Sequence, residues 1–172
     1  MTRWASSDWH LFHANIRKYE PIRPEGFEDL ILRNVRETLR PGDEFWFLGD
    51  LAFGGSAKSI EFLGDVFRLC ASFMVRGNHD KDRTDNWFKR LGFKDVFPLY
   101  MVVDDMMLTH FPMRAVDARY PDEMAMINKV FMERGCRVNV HGHTHSRRSA
   151  DPRCVNVSVE VADFRPVDLG KL

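Results

Sequence analysis

Five short apolar runs in this chain each lead into a polar signature rich in aspartate, asparagine and histidine, and that recurrence constrains the fold more than any other feature. The runs are Trp4-Ala5-Ser6, Phe45-Trp46-Phe47-Leu48, Phe73-Met74-Val75, Met106-Met107-Leu108 and Val138-Asn139-Val140, each of strand length and bounded by polar residues. Behind them come Ser7-Asp8-Trp9-His10, Gly49-Asp50, Gly77-Asn78-His79-Asp80, Thr109-His110 and Gly142-His143-Thr144-His145. In open α/β sheets, binding groups collect outside the carboxyl ends of the strands. Five such ends side by side would bring these groups into one crevice.

The histidines sharpen this reading. All seven, at positions 10, 13, 79, 110, 141, 143 and 145, fall in or beside these strand ends. Asp8 and His10, like His143 and His145, are two positions apart, so in extended backbone both members of a pair point the same way. Asn78 and His79 are adjacent and should point apart, which suggests an Asn78 carbonyl on a metal and a His79 ring facing substrate. A donor set of carboxylate, amide oxygen and imidazole without thiolate suits Mn²⁺, Fe or Zn²⁺.

The segments between the runs supply the helices. Phe27, Leu30, Ile31, Val35 and Leu39 recur at helical spacing across residues 25–39, and Pro41-Gly42 stops them. Residues 57–69, with Ile60, Leu63 and Phe67, predict a second helix despite Gly64, and residues 122–134, closed by Gly135, a third. Residues 99–103 and Asp104-Asp105 predict a hairpin into the fourth run. Val155, Val157, Val159 and Val161 alternate with Asn156, Ser158 and Glu160, the period of a half-buried strand.

With 172 residues and no linker-like or repetitive tract, one domain over 1–172 is the expected organisation. The 44% hydrophobic and 29% charged content fits a globular chain, and the polar first ten residues resemble no secretory leader, so a cytoplasmic location without membrane contact is expected. Three cysteines without CxxC spacing indicate neither a disulfide framework nor a thiolate zinc site. A net charge of +0 lacks the basic field of most nucleic-acid binders, so nucleic acid is not the favoured partner. Four tryptophans and 14 phenylalanines leave either a monomer or a homodimer open.

In order and spacing, Asp8-x-His10, Gly49-Asp50, Gly77-Asn78-His79-Asp80, His110 and Gly142-His143-Thr144-His145 resemble the calcineurin-like metallophosphoesterases, and the run from Asn156 to Val167 resembles the tail of small bacterial and phage members. The resemblance implies two packed mixed β-sheets flanked by helices, an αββα sandwich. It implies two divalent cations, Mn in the first instance with Fe or Zn as alternatives. Asp50 would bridge them, with Asp8, His10 and His145 on one ion and Asn78, His110 and His143 on the other. Leu51-Ala52-Phe53-Gly54 and Asp80 depart from the pattern of Ser/Thr protein phosphatases, which points away from that branch.

The chemistry explains why such groups are needed. Two cations roughly 3.5–4 Å apart neutralise an anionic ester and lower the pKa of a bridging water, the expected nucleophile. His79 is the expected proton donor to the leaving oxygen. Arg76, Arg114 and Arg147 lie beside the motifs and, with His13, are candidate substrate contacts, arginine being suited to phosphate. His141, Asn156 and Glu160 are candidate supports for ligand side chains. The expected activity is hydrolysis of a small phosphodiester or nucleotide, with phosphomonoesterase, nuclease or a non-catalytic metal-binding scaffold as alternatives.

Overall fold

The computed structural model describes residues 1–53, 62–63, 65–113 and 117–172. The first sheet has the order β4-β3-β2-β1-β9. Its strands β1 (Arg3–Ser6), β2 (Glu44–Phe47), β3 (Ala71–Val75) and β4 (Asp95–Phe97) run parallel, and β9 (Val167–Asp168) closes it antiparallel to β1. The second sheet has the order β5-β6-β7-β8. There β5 (Tyr100–Val103) pairs antiparallel with β6 (Met106–Thr109), while β7 (Val138–His141) and β8 (Cys154–Asn156) continue parallel.

Alternation along the strands builds the layers. On β2, Phe45 and Phe47 face a helical layer while Trp46, with Leu48 just beyond, faces the other sheet, as successive side chains on a strand must. Trp46, Leu48 and Val75 from the first sheet interleave with Met106, Leu108, Val138 and Val140 from the second, so the sheets pack face to face. Helices α2 (Phe27–Thr38) and α3 (Asp85–Leu91) cover the outside of the first sheet through Phe27, Ile31, Val35, Trp87 and Phe88. Helix α4 (Pro121–Glu133) covers the second through Met124, Ile127 and Phe131. A four-residue helix, α1 (Ile16–Tyr19), lies after the first signature loop.

The helices expected at 25–39 and 122–134 form as α2 and α4, and Gly135 takes the left-handed φ of 62° just beyond α4. Of the helix expected over 57–69, residues 57–61 and 64 lie outside the described residues, and Val66–Arg68 forms a short 3-10 turn. The two packed mixed sheets that the resemblance implied are found: three of the signature strands lie in the first and two in the second, and face-to-face packing brings their ends together. One expectation is corrected. The valine-rich C-terminal run is not one half-buried strand. It leaves β8 after Asn156, bridges Ser7 through Ser158 and turns into a 3-10 segment at Val159–Val161. Ser158 and Glu160 are as buried as the valines between them. Among the described residues no helix is long and apolar enough to cross a membrane.

Candidate metal centre

Trp9 sets the first part of the site. Its indole is fully buried, stacks on Phe67 at 5.6 Å, meets Phe47 edge-on at 4.9 Å and donates to Ser6 Oγ at 2.8 Å. With Trp9 committed to the core, its neighbours Asp8 and His10 project the other way, and both adopt left-handed φ values, 60° and 48°. Asp50, His143 and His145 share that sparsely populated conformation at 59°, 68° and 51°. Unfavourable backbone at so many polar positions is the signature of a functional site held in shape by its surroundings.

Hydrogen bonds hold one oxygen of Asp8 and one of Asp50 and turn the other oxygen of each inward. Asp8 Oδ2 accepts from the His143 N–H and the Ser158 hydroxyl, both at 2.9 Å, while Oδ1 is buried without a hydrogen-bond partner. Asp50 Oδ1 accepts the His79 N–H at 2.9 Å, and Oδ2 faces His10 Nε2 and His110 Nε2, each at 3.4 Å. His110 Nδ1 is 2.8 Å from the Leu48 carbonyl, to which it donates, so in the neutral ring Nε2 is the nitrogen that carries the lone pair. His145 Nδ1 lies 2.9 Å from Glu160 Oε1, and His143 Nε2 lies 3.2 Å from Asp117 Oδ2. Both ring nitrogens of His10 are buried without partners.

The inward-facing atoms converge in two groups. Asp8 Oδ1 is 3.8 Å from both His10 Nε2 and His145 Nε2. Asn78 Oδ1 is 3.1 Å from His110 Nε2 and 3.0 Å from His143 Nδ1. Donors bound at about 2.1 Å to one ion sit roughly 3–4 Å from each other, so both clusters have cation-binding dimensions. Asp8, His10 and His145 form one set within 4.8 Å, and Asp8, Asp50 and His110 another. Orphaned buried lone pairs, bunched carboxylates and oxygen–imidazole donors all fit divalent cations.

The electrostatics call for positive charge here. Burial opposes ionisation of Asp8, yet the nearby His10 ring and the charges of His110 and His145 hold its carboxyl well below the usual range. Burial likewise opposes charging His110, but Asp50 and Asp8 raise it to about 10. Buried carboxylates at such spacing demand a cation, and a histidine proton meets that demand in part.

Glycines allow the close approach. A Cβ on Gly142 would fall on Ser7 Oγ and Asp8 Oδ2, and one on Gly49 would come within 2.6 Å of the Gly77 backbone and of His110 Nδ1. Replacing either glycine requires the ligand loops to move.

The centre opens into a cleft of about 1210 Å³ lined by Asp50, Asn78, His79, His143, His145 and Arg147. The His79 ring is about half exposed there, 4.0 Å from Asp50 Oδ2. Asp8, His10, Asp50, Asn78, His110, His143 and His145 are thus brought together, with His79 at the mouth. His13 lies beside them, 5.9 Å from His10 and 4.1 Å from Phe53 between ring centres. Arg76 does not join them. Its guanidinium pairs with Asp85 and lies over Phe88, because α3 begins next to it and supplies both partners. Arg114 lies outside the described residues.

Three participants carry little sequence signal: Arg23 is buried behind the site, Ser158 holds Asp8, and Asp117 contacts His143. Asp80, the last residue of the third signature, accepts backbone N–H groups beneath the site. The polar residues alternating with valines after position 155 were the one available hint of Ser158 and Glu160.

Residues 1–159 match the calcineurin-like phosphoesterase superfamily domain, and the chain belongs to that family. Its members typically bind divalent metals, and the clustered carboxylates and imidazoles supply candidate ligands. The chain is 27% identical to an uncharacterized protein of Methanocaldococcus jannaschii, over 95% of this chain and 84% of that one. It is 24% identical to the Gene 66 protein of Mycobacterium phage D29, over 96% and 92% of the two chains. Among solved structures, a protein of unknown function from Aquifex aeolicus matches with TM-score 0.81 and 26% identity, covering 99% and 96% of the two chains. The Pseudomonas putida nuclease MPE matches with TM-score 0.54 and 17% identity over 83% and 61%, a likeness of fold.

Proposed function

We propose that the chain hydrolyses phosphate esters, diesters foremost, at a centre of two divalent cations. Asp8, His10 and His145 would hold one, Asn78, His110 and His143 the other, and Asp50 both. The observation that carries this reading is that Asp8 Oδ1 and His10 Nε2, both buried without a hydrogen-bond partner, face Asp50 Oδ2 and His145 Nε2 across the loops, with His110 Nε2 on the far side of Asp50. When bound, such cations neutralise the ester's oxygens and make water acidic enough to attack phosphorus.

The remaining work falls to the chain's own groups. Asp50 Oδ2, the free carboxylate oxygen between His10 and His110, has the position a bridge requires. His79 carries a titratable ring at the cleft mouth and would give the departing oxygen its proton. Arg147 lines the same cleft and pairs with no carboxylate among the described residues, leaving its fork for a phosphate oxygen. Tyr19, 70% exposed at the cleft, offers a flat surface to an organic arm beyond the phosphate. A small phosphodiester or nucleotide fits these features better than a bare phosphate. Manganese is the proposed ion, and the cytoplasm the proposed compartment.

The test is to strip the protein with a chelator, restore Mn²⁺, and assay aryl phosphodiesters, monoesters and a short oligonucleotide. Asp50→Asn should bind fewer ions and lose nearly all activity. His79→Ala should keep its metal and slow most on esters with poor leaving groups. Inert, metal-loaded wild type across the panel would favour the non-catalytic scaffold. An Asp50→Asn variant that kept both ions would remove the bridge.

A further inference from the structure

Arg23 is a charged side chain with 1% exposure, and burying a guanidinium costs several kcal/mol unless its donors are met. They are met in an unusual way. Nε donates to Glu160 Oε1 at 2.8 Å, and Nη2 donates to that same oxygen and to the Asp8 carbonyl. Nη1 donates to the Trp9 carbonyl at 2.7 Å. Among the described residues this guanidinium therefore bonds only the segment carrying Asp8 and His10, and Glu160. Glu160 Oε1 in turn faces His145 Nδ1 at 2.9 Å.

The Arg23 fork and the Glu160 carboxylate together thus link the left-handed loop after β1 to the imidazole of His145. The proposed ligands on the segments they hold, Asp8, His10 and His145, belong to the same half of the metal centre. The other half has its own supports, the Leu48 carbonyl for His110 and Asp117 for His143.

We propose that Arg23 and Glu160 are positioning residues for that one cation site. Glu160 accepts the Nδ1 proton of His145 and so fixes the tautomer that presents Nε2 beside Asp8 Oδ1. Arg23 anchors Glu160 and, through the two carbonyls, holds Asp8 and His10 in the backbone form that aims their side chains inward. This rests on the two-cation reading above. Such supporting contacts typically change metal affinity 10–100-fold when removed.

The experiment uses the full chain with Glu160→Gln, Glu160→Leu and the paired Arg23→Met/Glu160→Gln. Two readouts are taken: long-range ¹H–¹⁵N NMR of the His145 ring in metal-free protein at alkaline pH, and Mn²⁺ titration calorimetry. Wild type should show the Nδ1–H tautomer and two ions bound. Glu160→Leu should lose the tautomer preference and weaken one ion about 10–100-fold, leaving the other within about threefold. Glu160→Gln, whose amide oxygen still accepts from Nδ1, should restore most of that loss even if the leucine variant folds poorly. The paired variant should weaken the same ion.

Unchanged tautomer and unchanged Mn²⁺ affinity in Glu160→Leu and the paired variant, with only the melting temperature lowered, would overturn the proposal. Wild type that takes up no Mn²⁺ would instead overturn the metal reading beneath it, a result the variants are not needed to see.

Discussion

Asp80 Oδ2 accepts the backbone N–H of Asp50 at 2.7 Å and that of Gly77 at 2.8 Å, and its Oδ1 accepts from Leu51 at 3.3 Å. A single fully buried carboxylate therefore ties the loop after β2 to the loop after β3. Those loops carry Asp50 and Asn78, so their spacing is set from below. Burial and the neighbouring Asp50 charge raise the Asp80 carboxyl to about 6.

Removing that tie should be costly. Asp80→Ala strands three backbone donors, and with each buried unsatisfied group costing about 1–3 kcal/mol, a loss of roughly 3 kcal/mol is expected after relaxation. Asp80→Asn keeps one acceptor oxygen and should lose about half as much. Urea unfolding measures both, and variants within about 0.5 kcal/mol of wild type would mean that the loops are held by something else.

Gly142→Ala tests the close approach. Its Cβ has to displace Ser7 Oγ or Asp8 Oδ2, and Asp8 can move only by giving up the His143 N–H and the Ser158 hydroxyl. Mn²⁺ affinity should fall at least about tenfold while circular dichroism stays near wild type, as expected for a backbone shift confined to the ligand loops. Wild-type affinity would show that the loops yield at no cost.

Asp43 gives a pH-dependent prediction far from the cleft. It accepts the Thr2 N–H at 2.9 Å, the Trp4 indole N–H at 3.2 Å and the Arg40 N–H at 3.1 Å. The Thr2 hydrogen bond in particular lowers its pKa from the ordinary 3.8. A depressed carboxyl contributes stability that is fully present above the unfolded value and lost as pH falls through the folded one. Asp43→Asn should thus cost roughly 1 kcal/mol at neutral pH, and the gap to wild type should narrow below about pH 4. A gap that stayed constant from neutral to acid pH would contradict the ionic part of this contact.

Much of the site could be read from residue order because its ligands follow strands whose apolar runs are short and clearly bounded. Helices α2 and α4 announced themselves by periodicity over three or more turns. Other elements lacked that length: α3 spans seven residues and β4 three, too few for a period to stand out. The C-terminal valines misled for a physical reason. Ser158 and Glu160 are buried and bonded to Asp8, Arg23 and His145, so a polar residue between valines did not mark solvent. Arg23 finds its carboxylate 137 residues away, a pairing no local pattern encodes. Arg76 was drawn off by Asp85, whose helix start had not been anticipated.

The division of the proposed ligands between two sheets bears on how the molecule is made. Asp8, His10, Asp50 and Asn78 all precede β4, while His110, His143 and His145 follow β5. A ribosome delivers the chain from its N-terminus, so the first half emerges with both carboxylates of the proposed ligand set but only part of the imidazole set. Glu160 and β9 come last of all. A truncated or stalled product would therefore carry an acidic half-socket, and the proposed two-cation centre would be complete only once the last quarter of the chain has added His143 and His145.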